Sequence, residues 1–267
     1  MRFYLAIMAS FLAFSLAAAT RSSARTPQTG FLDRSISVRG TSYKYQVFVP
    51  EDWSPKQKWP IILFLHGAGE RGSDGLLQTD VGLPHAIRLE RSRFQTIVVM
   101  PQCLKDGWWA TPQMEEMALA ALTAASKEFR GDAKRTYLTG LSMGGYGSWS
   151  LAAKYPGKFA AVVPICGGIV LPEHLRQQRP DLSSIAYPDD AKSYEEVAKK
   201  IGKTPVWIFH GGADDIVPPQ GSRQLQAALQ AVGGDVRYTE YPGVGHNSWD
   251  KAYGEPELMT WMLSKTL

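Results

Sequence analysis

The stretch LTGLSMGGYGSW, Leu138 to Trp149, sets one serine among four nearby glycines. Its centre, Gly140-Leu141-Ser142-Met143-Gly144, spells G-x-S-x-G between the apolar run RTYL and the helical YGSWSLAAKY. In a strand–turn–helix of this kind the serine sits on a strained turn, and small residues two positions to either side let its hydroxyl project above a sheet. The stretch therefore predicts a buried strand, a sharp elbow and a helix, with Ser142 as candidate nucleophile.

Further along the chain in both directions, short apolar runs alternate with helical or turn-rich segments. PIILFLHG, FQTIVVMPQ, RTYLTGLS, FAAVVPICGG and PVWIFHGG are continuous runs, as expected of strands buried on both faces of a parallel sheet. YKYQVFVP alternates like a half-exposed strand. TPQMEEMALAALTAASKEF opens with Thr111 as N-cap and Pro112 at the first helical position, and PQGSRQLQAALQAVGG ends on glycines. Strand alternating with helix predicts an α/β fold, a mostly parallel central sheet with helices on both faces. Residues 31–267 form one expected catalytic domain, and 267 residues with 44% hydrophobic side chains suffice for a full core. The segment Ile169 to Lys203, rich in Pro and charge, is longer than an ordinary crossover; it is either a lid over the carboxyl edge of the sheet or a plain surface excursion.

The formal charge of +4 is thinly spread with no basic stripe, which gives no reason to invoke nucleic acid. At the start, MRFYLAIMASFLAFSLAAAT combines an early Arg, an apolar run from Phe3 to Leu16 and small residues at Ala17 and Ala19. That is the pattern of a secretory signal cut between Ala19 and Thr20, followed by a polar, disordered lead-in over residues 20–30. The expectation is a secreted or periplasmic protein with no stable membrane partner after cleavage. Cys103 and Cys166 both follow predicted strands that the fold sets about three positions apart, on the order of 14 Å, so they are expected to stay unpaired.

A serine needs a base, and the base an orienting carboxylate. Of the five histidines only His246 lies beyond the last predicted strand, in the Gly-flanked loop YPGVGHNSWD. Asp214 and Asp215 alone follow directly on a buried-type strand after Ser142, in PVWIFHGGADDIVPP. Asp214 is favoured by its place in H-G-x-x-D-x-x-V-P, which leaves Asp215 as a turn or capping residue. The expected oxyanion donors are the backbone N–H groups of Met143 and Ala68, with Gly69 next in line. The loop after PIILFLHG also matches the dinucleotide pattern at Gly67, Gly69 and Gly72, but GSDG follows and opens no helix for a pyrophosphate. No H-E-x-x-H and no Cys/His cluster at ligand spacing suggests a metal, and His66 and His210 read as backbone-orienting residues in H-G turns. Trp108 and Trp109 follow the strand TIVVMPQ; they either pack in the core or present an indole wall to substrate.

On LFLHGAGERG, PQCLKDGWW, TGLSMGGYGSW, VPICGG, FHGGADDIVP and YPGVGHNSWDKAY, the chain from about Ser35 onward resembles the α/β-hydrolase superfamily. Within it the nearest likeness is the secreted esterase and "predicted peptidase" group related to dienelactone hydrolases, feruloyl esterases and polyhydroxybutyrate depolymerases. The resemblance implies Ser142, Asp214 and His246 as nucleophile, acid and base, Ala68 and Met143 as oxyanion donors, and no cofactor. It implies a serine esterase acting on small-molecule or polymer-linked carboxylic esters. A serine peptidase of prolyl-oligopeptidase type and a non-catalytic polymer- or carbohydrate-binding protein on the same fold are the alternatives.

Overall fold

The computed structural model describes residues 28–267. The expected signal segment and the lead-in up to residue 27 lie outside them. Eight strands form one sheet in the order β1-β2-β4-β3-β5-β6-β7-β8. These are β1 (Gly30–Val38), β2 (Thr41–Val49), β3 (Trp59–Leu65), β4 (Ile97–Pro101), β5 (Gly131–Leu141), β6 (Ala161–Ile165), β7 (Val206–Gly211) and β8 (Val236–Tyr241). β2 runs antiparallel to both β1 and β4, and the pairs from β4 through β8 are parallel. The helices are α1 (Leu83–Leu89), α2 (Pro112–Phe129), α3 (Met143–Lys154), α4 (Glu173–Gln178), α5 (Ala191–Ile201), α6 (Gln220–Ala231), α7 (Trp249–Gly254) and α8 (Leu258–Leu263).

The continuous apolar runs are explained by cover on both faces. Because strand side chains alternate, Ile61, Leu63 and Leu65 of β3 enter one core with α2, α3, α5 and α6. Ile62 and Phe64 enter the other, with α1, α7 and α8. Two readings need correction. β2 is not half-exposed: Tyr45 to Val49 are all buried, because β1, which begins at Gly30 inside the expected lead-in, takes the sheet edge instead. β1 itself carries the alternating burial of an edge strand. Thr111 stands at the N-cap of α2, yet its hydroxyl donates to the Trp108 carbonyl rather than capping the helix.

The Ile169–Lys203 segment divides in two. α5 packs between α3 and α6 as an ordinary member of its layer, so the true excursion ends near Asp190. That excursion is anchored rather than free. Tyr187 N–H closes its base on the Ile169 carbonyl, Leu182 is fully buried, and Arg179 donates to the Asp106 carbonyl in the loop after β4. Cys103 and Cys166 are buried and unpaired, at the ends of β4 and β6, three places apart in the sheet.

Leu182→Ala is expected to lower stability by about 2–4 kcal/mol, the cost of a lost buried side chain plus its cavity. Leu89→Ala, at a side chain 75% exposed, is expected to change it by less than about 0.5 kcal/mol. Urea denaturation of both variants checks the anchoring of the excursion.

Candidate active site

The parallel strands end on one edge, and the functional side chains gather there. Ser142 links β5 to α3 with φ 52° and ψ −116°, the left-handed region that side-chain-bearing residues avoid. Its N–H donates to the Ile165 carbonyl at 2.9 Å and its carbonyl accepts from Tyr146 N–H, so the strained residue is tied to β6 and to its own helix. The flanking glycines are required by contact. A Cβ on Gly144 would strike the Leu65 carbonyl, and one on Gly140 would strike the Gly144 carbonyl.

Ser142 Oγ lies 2.9 Å from His246 Nε2, and His246 Nδ1 lies 2.7 Å from Asp214 Oδ2. An ionised carboxylate only accepts, so Nδ1 carries the imidazole proton and Nε2 is left to accept from the serine hydroxyl. Trp249 sets its ring edge-on to His246 at 5.6 Å. Asp214 is buried, and its other oxygen accepts from the N–H groups of Ile216 and Val217 at 3.0 and 2.9 Å. Burial pushes its carboxyl up, but hydrogen bonds from His210, His246 and the Val217 N–H outweigh that and hold it well below the usual carboxylate range. Asp215 is exposed on the adjacent bend and faces neither histidine.

The loop after β3 supplies the opposite wall. His66 Nε2 accepts from Cys103 N–H at 2.9 Å, so its Nδ1 carries the proton and donates to the Gly67 carbonyl at 2.6 Å. In a trans peptide the C=O and N–H point in opposite directions, so this bond turns the Ala68 N–H away from His66. Arg71 Nε donates to the Ala68 carbonyl and holds the next peptide. Across the gap, Met143 opens α3, where its N–H has no partner within the helix and the positive end of the helix dipole adds to it. A Cβ on Gly67 would lie 3.8 Å from Ser142 Cβ and 3.0 Å from Glu70 Oε2, so the loop rests directly against the elbow. The Gly67-x-Gly69-x-x-Gly72 segment opens no α-helix.

Both tryptophans are buried in the same core, Trp108 at 4% exposure, but their neighbours differ. Trp109 is 1% exposed, donates its indole N–H to the His66 carbonyl at 2.8 Å and sets its ring against the imidazole edge. It is a core residue that braces His66, and the reading of it as a substrate wall is corrected by that burial. Trp108 packs obliquely on Tyr146 at 5.7 Å and borders a recess with Ile169, Leu171, Ile185 and Tyr187, one helical turn along α3 from Ser142. Several residues near the site are silent in the sequence pattern. Glu70, Tyr146 and Trp249 lie inside quoted motifs without a role of their own there, Ser222 lies outside them, and only the fold brings the four here.

A sheet of this order with a serine elbow after its fifth strand, an acid after its seventh and a histidine after its eighth defines an α/β-hydrolase. The chain belongs to the prolyl oligopeptidase family, which matches residues 107–264. It is similar to the crystal structure of a thermostable esterase, with 32% identity and a TM-score of 0.72 over 89% of this chain and 63% of that one. It is 28% identical over 129 residues to a probable feruloyl esterase C of Aspergillus terreus, covering 48% of this chain and 47% of the relative. An uncharacterized secreted protein of Arthroderma benhamiae is 25% identical over 71% of this chain and 21% of its own length. The chain thus spans half or less of these curated relatives.

Burial holds the His66 imidazole down to about 4, so it stays neutral in the fold well below the pH at which an unfolded histidine, near 6.5, takes up its proton. Between those two values the unfolded state binds the extra proton, so stability is present above pH 6.5 and falls as pH drops towards 4. The loss from this group is about 3 kcal/mol at full extent. His66→Gln is expected to flatten the slope of unfolding free energy against pH in that window, measured by urea titration at successive pH values.

Proposed function

We propose that the chain is a serine hydrolase of carboxylic esters. The observation that carries this reading is the unbroken polar chain from Ser142 Oγ through His246 to Asp214, at 2.9 and 2.7 Å, beside two backbone N–H groups that have no helix partner or face away from their anchor. Ser142 Oγ attacks the acyl carbon as His246 Nε2 takes its proton, and the Ala68 and Met143 N–H groups stabilise the oxyanion. The imidazolium then returns the proton to the leaving alkoxide, and water, activated by His246, releases the acyl group from Ser142. Asp214 holds the imidazole in the required tautomer and offsets its charge. Likeness to a thermostable esterase and to a probable feruloyl esterase supports an ester as substrate, and the family's name supports a peptide as the second reading. Trp108 and the anchored excursion form the wall on which an acyl or aromatic group rests. The apolar run Phe3–Leu16 and the likeness to an uncharacterized secreted protein support export, and residues 31–267 act as one catalytic domain.

A panel of aryl esters set against peptide anilides tests the substrate class; turnover of anilides at rates matching the esters would overturn it. A fluorophosphonate is expected to label the wild type and not Ser142→Ala, and that variant is expected to lose on the order of a million-fold in kcat. Retained ester turnover above background would remove Ser142 from the mechanism. Asp214→Asn is expected to cost about ten-thousand-fold in kcat, since the imidazole is then held in the wrong tautomer. Asp215→Asn is expected to cost less than about threefold, consistent with an exposed side chain off the relay. The two are compared by steady-state hydrolysis of one aryl ester.

A further inference from the structure

We propose that His210 and Ser222 are positioning residues of the site, forming with Asp214 and His246 one buried polar cluster in which the His210 N–H beside Asp214 sets the hold of that carboxylate on the imidazole facing Ser142. The proposal rests on the reading of Ser142, His246 and Asp214 as the reacting centre.

His210, at the end of β7, is fully buried and bonded at both nitrogens. Its Nδ1 lies 2.8 Å from Ser222 Oγ, and its Nε2 lies 2.8 Å from the Val217 carbonyl and 3.2 Å from Asp214 Oδ2. A carbonyl only accepts, so Nε2 carries a proton and donates it to the Val217 carbonyl, with Asp214 Oδ2 beside the same N–H at 3.2 Å. With that proton on Nε2, the neutral ring accepts at Nδ1, and the Ser222 hydroxyl, buried on the first turn of α6, donates. The direction of every bond is thereby set, from Ser222 to His210, from His210 to the Val217 carbonyl, and from His246 to Asp214.

Both imidazoles reach the same oxygen. Asp214 Oδ2 accepts from His246 Nδ1 at 2.7 Å and lies 3.2 Å from His210 Nε2, while Oδ1 is taken by the Ile216 and Val217 N–H groups. Every donor on a carboxylate oxygen draws charge from it, so the His210 N–H weakens the hold of Asp214 on a charged His246. A residue that served only to orient the turn after β7 would need the Val217 carbonyl alone. The contact with Oδ2 and the buried hydroxyl behind the ring go beyond that need.

The other ionisable groups around the cluster leave this balance to the two histidines. Cys166 at the end of β6 and Tyr146 on α3 both feel Asp214, and burial pushes each of them upward so that they stay neutral. Glu240 on β8 feels His210, but hydrogen bonds from Arg223 and Tyr238 hold its carboxyl down to about 2 and keep it as a fixed charge.

The test is the titration of His246 followed by long-range proton–nitrogen NMR of the full chain carrying Ser142→Ala, a readout that needs no turnover. In that background His210→Leu is expected to raise the His246 midpoint by about 0.5 to 1 pH unit, and Ser222→Ala to raise it by a smaller amount. His210→Gln, whose amide N–H takes the place of Nε2–H, is expected to restore the starting value. With Ser142 intact, the acid limb of kcat/KM for an aryl ester is expected to move with the NMR midpoint. A His246 midpoint that is unmoved or lowered in His210→Leu, with a reduced melting temperature, would show that His210 is only a structural clasp. If His210→Leu does not fold, an unmoved midpoint in Ser222→Ala overturns the proposal. Ester turnover surviving in Ser142→Ala would overturn the hydrolase reading, while the NMR titration would still decide the role of the polar cluster.

Discussion

The backbone of Ser142 stands at φ 52° only because α3 can lie directly on the end of β3, with Gly144 against the Leu65 carbonyl and no side chain between them. Strain of this kind costs of order 1–3 kcal/mol and persists where the surroundings over-determine it. Here they do. The Ser142 N–H is bonded to β6, its carbonyl to the helix, and both neighbouring turns are packed backbone to backbone. The same close approach that forces the conformation also sets the start of α3 against the loop that follows β3.

Two histidines at the carboxyl ends of strands play parallel parts around this elbow. His66 ends up after β3 and His210 closes β7, each is fully buried, and each is bonded at both ring nitrogens. His66 clamps the Gly67 peptide and thereby aims the Ala68 N–H; His210 touches the carboxylate that faces His246. Buried polar groups must be satisfied, and a satisfied network in low dielectric is rigid. The loops around the elbow are therefore held by imidazoles bonded at both nitrogens, and Trp109 braces one of them.

The excursion after β6 shows how an irregular segment becomes part of a packed site. Its Pro and charged residues rule out a regular helix through most of its length, yet Leu182 is buried and Arg179 reaches the loop that carries Trp108. The place of this segment is therefore set by tertiary docking as well as by its own short helical turns.

The amino-acid sequence alone marked the central parallel strands and picked out three candidate site residues. The continuous runs suit strands covered on both faces, the G-x-S-x-G stretch between a strand and a helix suits an elbow, chain order singled out His246, and the H-G-x-x-D-x-x-V-P arrangement favoured Asp214 over Asp215. These are local signals, written in periodicity and in glycine spacing. Other decisions depended on which strand became the edge and what lay across a gap. The burial of Tyr45 to Val49 follows from β1 taking the edge, and the core role of Trp109 follows from a carbonyl 43 residues away in the chain. The Ser222 and His210 contacts likewise join residues on different elements, and a single serine in a helix carries no mark of the imidazole it will meet. Hydrogen-bond partners across a fold are a matter of distance in space, and only the packed tertiary structure supplies that distance.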